Sequence, residues 1–391
     1  MSQFDLNAED HLDRWVEQTD AIRVEGPIGW SDADGGYWVA VGYDCVVEIT
    51  KNWEVFSCSN DQARDPRARG IGIPPFAFPM LLSESDPPRQ TKLRLLEIPF
   101  FQPSKMKAQM PIVQGHIDAC LAALDQGREV DLFREYAMPV VALTTMALVG
   151  IDISQWQAFT LKSFHGEGGP DFDLNSDTNR VHQMLLDLIS ERRAAPESDI
   201  VSALVQGTVL GEGLDDGEVL SMLHALVLGG FDTTAGLITS GLIWLDEHRE
   251  DHDRLRADDA LLANAVHEFI RFYPSVVGGA RNIMRDIEIG GRKLRDGDRI
   301  YLSWAGANRD PAVFEAPHEL RIDRPNADRN LTFGHGPHRC LGLELARITG
   351  RLALRGILDR YPEYRIRREG LVRHRAHGQV AGWSCVPANL A

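Results

Sequence analysis

The chain is expected to fold mainly as α-helices with a minor β region. Three features of the sequence predict this. Apolar residues recur at helical spacing almost without interruption from about Gln109 to Glu250. Period-two alternation is confined to short runs near the start and between residues 275 and 303. One apolar segment, residues 217–250, is long enough to cross a protein of this size, roughly 50 Å at about 1.5 Å per residue. A helix apolar on most of its faces belongs in the centre of a fold.

Taken in order, Tyr37-Trp38-Val39-Ala40-Val41 reads as a strand, Gly42 as a turn and residues 44–51 as a short helix. Residues 59–90 are rich in Pro, Gly, Arg and Phe and lack periodicity. An irregular segment of that length inside a compact protein is usually functional or mobile. Helices are expected over residues 111–124, 133–149, 153–165, 178–193 and 199–207, ahead of the long one at 217–250. Asp259–Phe272 is amphipathic and is stopped by Tyr273-Pro274, because a residue before proline avoids the helical region. Residues 287–291 and 298–302 alternate like short strands around glycine turns. A glycine-rich loop over 333–342 then feeds a last helix, from Leu343 to about Leu358.

Charge excludes some partners. There are 57 acidic against 41 basic residues, a formal charge of −16. Nucleic acid or an anionic membrane would select a basic face, so neither is expected. His224, Asp232 and several Gly and Thr interrupt the 217–250 segment, which therefore reads as a buried core helix and not as a membrane span. Residues 1–5 show no basic stretch leading into an apolar run, so no leader peptide is expected. Cys45, Cys58, Cys120, Cys340 and Cys385 are scattered, with no CxxC pair for zinc and no disulfide framework. They point to a reducing, cytoplasmic setting.

The run Phe333-Gly334-His335-Gly336-Pro337-His338-Arg339-Cys340-Leu341-Gly342 carries the most chemical information. A thiolate needs positive potential to stay ionised, and a helix N-terminus supplies it through free N–H groups and the macrodipole. The glycines allow the backbone to approach a flat ligand and to aim N–H groups at sulfur. Alone, Cys340 would serve equally well as a small buried residue at a loop–helix junction. A zinc site from His335, His338 and Cys340 lacks a further ligand cluster. The run resembles the haem-binding loop of the cytochrome P-450 superfamily, Phe-x-x-Gly-x-x-x-Cys-x-Gly, at Phe333, Gly336, Cys340 and Gly342. The likeness is to the soluble bacterial class that includes camphor hydroxylase. It implies haem b (iron protoporphyrin IX), with Cys340 as axial ligand of the iron, Phe333 and Gly334 in the loop beside it, and His338 at a propionate. Thiolate ligation pushes electron density onto iron and favours O–O cleavage.

Upstream segments extend the resemblance over nearly the whole chain. Glu268-Phe269-Ile270-Arg271 has the i,i+3 spacing of an ion pair, and so has Glu344-Leu345-Ala346-Arg347. Only the first lies where the family places its ExxR pair, so Glu268 and Arg271 are expected to lock the core beneath the haem. Its third partner stays open between Arg321 and Arg324. Gly229-Gly230-Phe231-Asp232-Thr233-Thr234 sets a costly acid in an apolar helix beside glycines that weaken it. A solvated kink would account for it, but the run also resembles the family's acid–alcohol pair. That likeness implies a local opening of the helix ladder, Thr233 as the hydrogen-bonding alcohol of oxygen activation and Asp232 as the gate for protons. Asp86-Pro87-Pro88-Arg89-Gln90-Thr91-Lys92-Leu93-Arg94 resembles the turn into the family's C helix, with Gln90 where many bacterial members carry His. Arg94 and Arg281 match propionate-binding arginines, and Gln90 is expected to add one hydrogen bond.

The resemblance implies a monooxygenase that inserts one atom of O2 into a hydrophobic terpenoid, steroid-like or aromatic molecule. Electrons would come from NAD(P)H through a ferredoxin and ferredoxin reductase. Phe76, Phe78, Leu228, Gly229, Val276 and Val277 are expected to form the substrate pocket, with Arg64, Arg67 and Arg69 placed to anchor a carboxylate. Arg329, Arg339, Arg347 and Arg351 would form a basic patch for an acidic ferredoxin. Two other readings stay open: a peroxide-using hydroxylase or oxidative-coupling enzyme of the same fold, and a haem-binding sensor without turnover. A monomer with one domain over residues 1–391 is expected, β-rich near 25–60 and 275–330 and helical over 90–272 and 340–360. Its haem would lie buried between the long central helix and the helix after the cysteine loop.

Overall fold

Short alternating runs and long apolar repeats sort the chain into a small β region and a larger set of helices. The computed structural model describes residues 4–76, 78–124, 128–160, 174–373 and 379–390. Helix α1 (His11–Glu25) leads into the antiparallel pair β1 (Ile28–Ser31) and β2 (Tyr37–Ala40), then α2 (Tyr43–Lys51) and β3 (Phe56–Ser57). Up to Pro88 the described residues then hold no helix or strand, as their Pro and Gly content predicts. Next come α3 (Arg89–Glu97), α4 (Pro103–Ala123), β4 (Glu129–Asp131), α5 (Met138–Val149), α6 (Trp156–Phe159), α7 (Leu174–Ala194) and α8 (Ile200–Val205). A hairpin of β5 (Thr208–Val209) and β6 (Glu212–Gly213) turns the chain into α9 (Asp216–Glu247). After α10 (Arg249–Ala257) and α11 (Asp259–Phe272) come β7 (Gly278–Ile283), β8 (Ile287–Ile289), β9 (Arg292–Leu294), β10 (Arg299–Ser303) and the single turn α12 (Trp304–Ala307). The last elements are α13 (Leu343–Arg360), β11 (Arg365–Ile366), β12 (Val372–Arg373), β13 (Trp383–Cys385) and β14 (Pro387–Asn389).

The main sheet runs β1-β2-β10-β7-β3. Its pairs are antiparallel except β10 with β2, where Tyr301 faces Val39. Every residue of β7 and β10 is buried, as expected of central strands, and their register sets Ile300 opposite Arg281. One apolar cluster, including Ile28, Val46, Phe56 and Leu302, packs on this sheet, while a larger one joins α4, α5, α9, α11 and α13. Helix α9 opens with a capping box between Asp215 and Glu218. By length and composition it could cross a membrane, yet 72% of its most apolar window is buried inside the protein. It is the core helix that its interruptions predicted.

The boundaries differ from expectation in three places, each for a physical reason. The long helix stops at Glu247 because His248 (φ −118, ψ 74) leaves the helical region, and α10 restarts beyond it. Helix α4 begins at Pro103, not at residue 111, and carries Pro111 inside on an exposed face. The expected 153–165 helix is a 3-10 turn, Ile153–Gln155, followed by α6, and residues 161–165 lie outside the described residues. Helices α1 and α10 escape periodicity arguments because they bury mainly polar side chains: His11, Gln18 and Thr19 in the first, and His252 beside Leu255 in the second.

Candidate functional site

The cysteine loop is built by close backbone approach. Cys340 N–H donates to the Phe333 carbonyl at 2.8 Å, closing the loop on itself. Gly334 and Gly336 sit at φ +67 and +71. A Cβ on Gly336 would lie 2.5 Å from the Thr50 carbonyl oxygen, so α2 meets the loop only because that side chain is missing. Gln90, buried on α3, donates through Nε2 to the Pro337 carbonyl at 2.8 Å. Part of the amide expected at the cofactor is thus spent on holding the loop.

Cys340 has accessible surface, but that surface opens into the cavity it lines. Burial pushes its thiol pKa up, against the lowering effects of the Gly342 and Leu343 N–H groups and of the Arg94 and Arg339 charges. The helix end is placed as the sequence argument requires, but by itself it does not win. A coordinated metal ion would supply what is missing, because a coordinating thiol is deprotonated outright.

The cavity is about 660 Å³ and is walled by α3, α5, α9, β7, residues of the irregular 71–83 segment and the cysteine loop. Arg94, Arg281 and His338 line it beside Cys340. His338 Nε2 is buried with no hydrogen-bond partner. Burial, together with the Arg281 and Arg94 charges, pushes its pKa down to about 3. Arg281 donates to the Ala280 carbonyl, and no ion pair to either arginine occurs among the described residues. Two guanidiniums and an orphaned imidazole around one thiol call for a ligand that brings carboxylates and a metal ion. Haem b fits this set, with sulfur for the iron and three donors for the propionates.

Glu97, on α3, was not anticipated. It lines the same cavity, is 1% exposed, and neither carboxylate oxygen has a partner. Burial pushes its pKa up to about 8, opposed by the Arg94 charge. The available signal was an acid within the apolar run Leu95-Leu96-Glu97-Ile98-Pro99-Phe100-Phe101. In the unfolded chain the group ionises near its usual 4.5, so the fold penalises ionisation. Stability present below that value is lost as pH rises through about 8. Glu97→Gln should therefore gain on the wild type across this window, by about 1.4 kcal/mol per pH unit. Denaturant titrations at about pH 5 and about pH 8 measure this, and a difference that does not grow with pH would reject it.

Asp232, buried, and Thr233, partly buried, line the cavity from α9. The expected opening of the helix is absent. Helix α9 continues through this stretch, and the Thr233 hydroxyl donates back to the Gly229 carbonyl at 2.7 Å. Ser275 Oγ donates to the Thr233 carbonyl at 2.7 Å. Gly230 serves packing instead, since a Cβ there would lie 2.6 Å from the Thr145 side chain of α5.

Beneath the loop, Glu268 and Arg271 are both 0% exposed and share two bonds of 2.7 Å. The third partner is Arg324, whose Nε lies 3.0 and 3.1 Å from the two Glu268 oxygens. Arg321 contributes only its backbone N–H, at 2.9 Å. Backbone carbonyls of Asn308, Pro317 and Glu319 saturate the rest of Arg271. The look-alike pair Glu344–Arg347 is a surface feature, with Glu344 49% exposed.

Phe76, Phe78, Leu228, Gly229 and Val276 line the cavity, and so do Phe333 and Gly334. Val277 does not. Adjacent residues of an extended chain point to opposite sides, and Val277 is buried away from the cavity with its N–H on the Gln379 carbonyl. None of Arg64, Arg67 and Arg69 reaches it either. Arg67 pairs with Asp65 and Asp296, and Arg69 donates to the Gly297 carbonyl. The basic patch is narrower than expected. Arg347 pairs with Glu344 and Arg351 with Asp259, whereas Arg329, over the Tyr43 ring, and Arg339 are exposed.

The cytochrome P-450 family model matches residues 170–363. The chain is 31% identical over 282 residues to the polyketide biosynthesis cytochrome P-450 PksS of Bacillus subtilis, covering 71% of this chain and 69% of that one. It is 30% identical over 358 residues to the vitamin D(3) 25-hydroxylase of Pseudonocardia autotrophica, covering 88% and 85%. Among solved structures, a mutant of EryK in complex with erythromycin B superposes with a TM-score of 0.84 at 25% identity, covering 97% of this chain and 96% of that one. The post-tailoring hydroxylase HmtN of himastatin biosynthesis gives a TM-score of 0.84 at 25% identity, covering 95% and 96%.

Proposed function

The chain belongs to the cytochrome P-450 family, whose members are haem-thiolate monooxygenases, and we propose that it oxidises a hydrophobic terpenoid, steroid-like or aromatic molecule. One observation carries this reading: a mainly apolar cavity lined by Cys340 and by the Asp232–Thr233 pair. Bound haem supplies the iron chemistry that activates dioxygen. The chain's own residues do the rest. Cys340 sulfur would hold the iron, and Arg94, Arg281 and His338 would bind and orient the propionates. Phe76, Phe78, Leu228 and Val276 would exclude water and press the substrate into place. The Thr233 hydroxyl would donate a hydrogen bond into the cavity on leaving the Gly229 carbonyl, and the Asp232 carboxylate would pass protons inward.

Electrons are proposed to come from NAD(P)H through a ferredoxin reductase and a ferredoxin, with exposed Arg339 beside Cys340 as the docking charge. A cytoplasmic monomer acting as one unit over residues 1–391 is part of the same reading. The single unit is supported by both apolar clusters reaching the cavity, Trp304 from one and Ile270 and Leu345 from the other. The acid–alcohol pair favours dioxygen over peroxide as the oxidant, because peroxide already carries both protons. Family membership sets the sensor reading aside.

Thr233→Ala tests the proposal. With ferredoxin and its reductase, the variant should keep consuming NADH while diverting it to hydrogen peroxide. Product per NADH should fall about tenfold, the worth of one hydrogen bond at the transition state. A variant as tightly coupled as the wild type would remove Thr233 from the mechanism.

A further inference from the structure

The cavity wall away from Cys340 holds a polar group that the monooxygenase reading does not use. His182 on α7 and His224 on α9 are 8% and 7% exposed, and His182 Nε2 lies 2.9 Å from His224 Nδ1. Phe78, from the irregular segment, packs edge-on against His182 with centroids 4.5 Å apart and lies 6.1 Å from the His224 ring. His224 and Phe78 line the cavity, whereas His182 stands behind them. Burial pushes the His224 pKa down to about 4, helped by the His182 charge, and also lowers that of His182, so both rings are neutral near pH 7.

A neutral imidazole has one donor and one acceptor. The bond between the rings uses one of each and leaves His224 Nε2, which has no hydrogen bond among the described residues. Its character follows the shared proton. If His182 donates, His224 Nε2 carries a proton and is a donor. If His224 donates, Nε2 is an acceptor. The pair can therefore satisfy either polarity in a wall that is otherwise largely apolar. Such a group left unmatched is unfavourable, so a ligand that meets it gains selectively.

We propose that His224, set by His182, is a specificity-determining residue that hydrogen-bonds a neutral hydroxyl or carbonyl on an otherwise apolar substrate. His224 precedes Asp232 by eight residues on α9, about 12 Å along the helix axis. The recognised oxygen therefore lies remote from the carbon that is oxidised, and the substrate is an elongated ring system that already carries one oxygen. Neutral rings give a carboxylate no matching charge. The inference rests on the reading of this cavity as the substrate site.

The test uses the haem-loaded protein and matched elongated ligands: androstanol and androstanone against androstane, and cholestanol against cholestane. Dissociation constants are read from the Soret shift. In at least one set the oxygenated member should bind about tenfold more tightly than its hydrocarbon. His224→Phe should erase that ratio and leave hydrocarbon binding in place. His182→Phe, which removes the positioning nitrogen and leaves His224 in place, should give an intermediate ratio. The ferrous–carbon monoxide spectrum, unchanged in both variants, shows that the haem site is intact; if His224→Phe alters it, the His182→Phe ratio decides. Hydrocarbons binding as well as their oxygenated partners overturn the inference, and so does a preference that survives His224→Phe. No shift with any ligand also overturns it. Dioxygen-dependent NADH consumption and its diversion in Thr233→Ala test the monooxygenase reading separately.

Discussion

Cys340→Ser should abolish turnover and strip the thiolate signature from the ferrous–carbon monoxide Soret band, while haem still enters the cavity. The expectation rests on a division of labour at the site. Arg94, Arg281 and His338 line the cavity independently of the sulfur, so the propionate contacts survive the substitution. What goes is the one atom able to become a soft anionic ligand. A serine hydroxyl in the same buried place stays protonated and donates little electron density to iron. Cys58 is the control. It is buried with its pKa pushed up to about 12, and Cys58→Ser should leave the band unchanged. A thiolate-type spectrum surviving in Cys340→Ser would remove Cys340 from the iron.

Glu268→Ala should have the largest effect on stability, about 3–5 kcal/mol, because it leaves buried charge without its partner. Two guanidiniums, Arg271 and Arg324, converge on that carboxylate, and all three groups are at most 2% exposed. Glu344→Ala removes the same i,i+3 spacing from the surface and should change stability by less than about 1 kcal/mol. Denaturant midpoints of the haem-loaded proteins measure both, with haem content as a second readout. Near-equal losses would mean that the Glu268 cluster is no more than a surface pair in its energetics.

The pattern around Cys340 was legible because its parts are local. A ten-residue loop, its glycines and the helix after it are contiguous, so spacing alone reports their geometry. The same holds for Glu268 and Arg271 on one helix, for Asp232 and Thr233 on another, and for the length and apolar character of α9. Placing both Val276 and Val277 in the pocket failed, because neighbours on an extended chain face opposite sides and sequence does not say which of them faces in.

By itself, then, the sequence determined the mainly helical fold and the buried central helix from local periodicity, and its resemblance to the family marked Cys340 as the candidate iron ligand and Asp232–Thr233 as the candidate acid–alcohol pair. Tertiary structure alone decided the rest. It chose Arg324 over Arg321 for Glu268, more than fifty residues away in the chain. It tied Gln90 to Pro337, closed the helix that was expected to open at Thr233, and buried Glu97 with no partner. It also brought His182 to His224. The physical reason is common to all of these. A polar group's partner and its hydration are set by what packs against it, and packing joins segments whose separation along the chain carries no periodic signal.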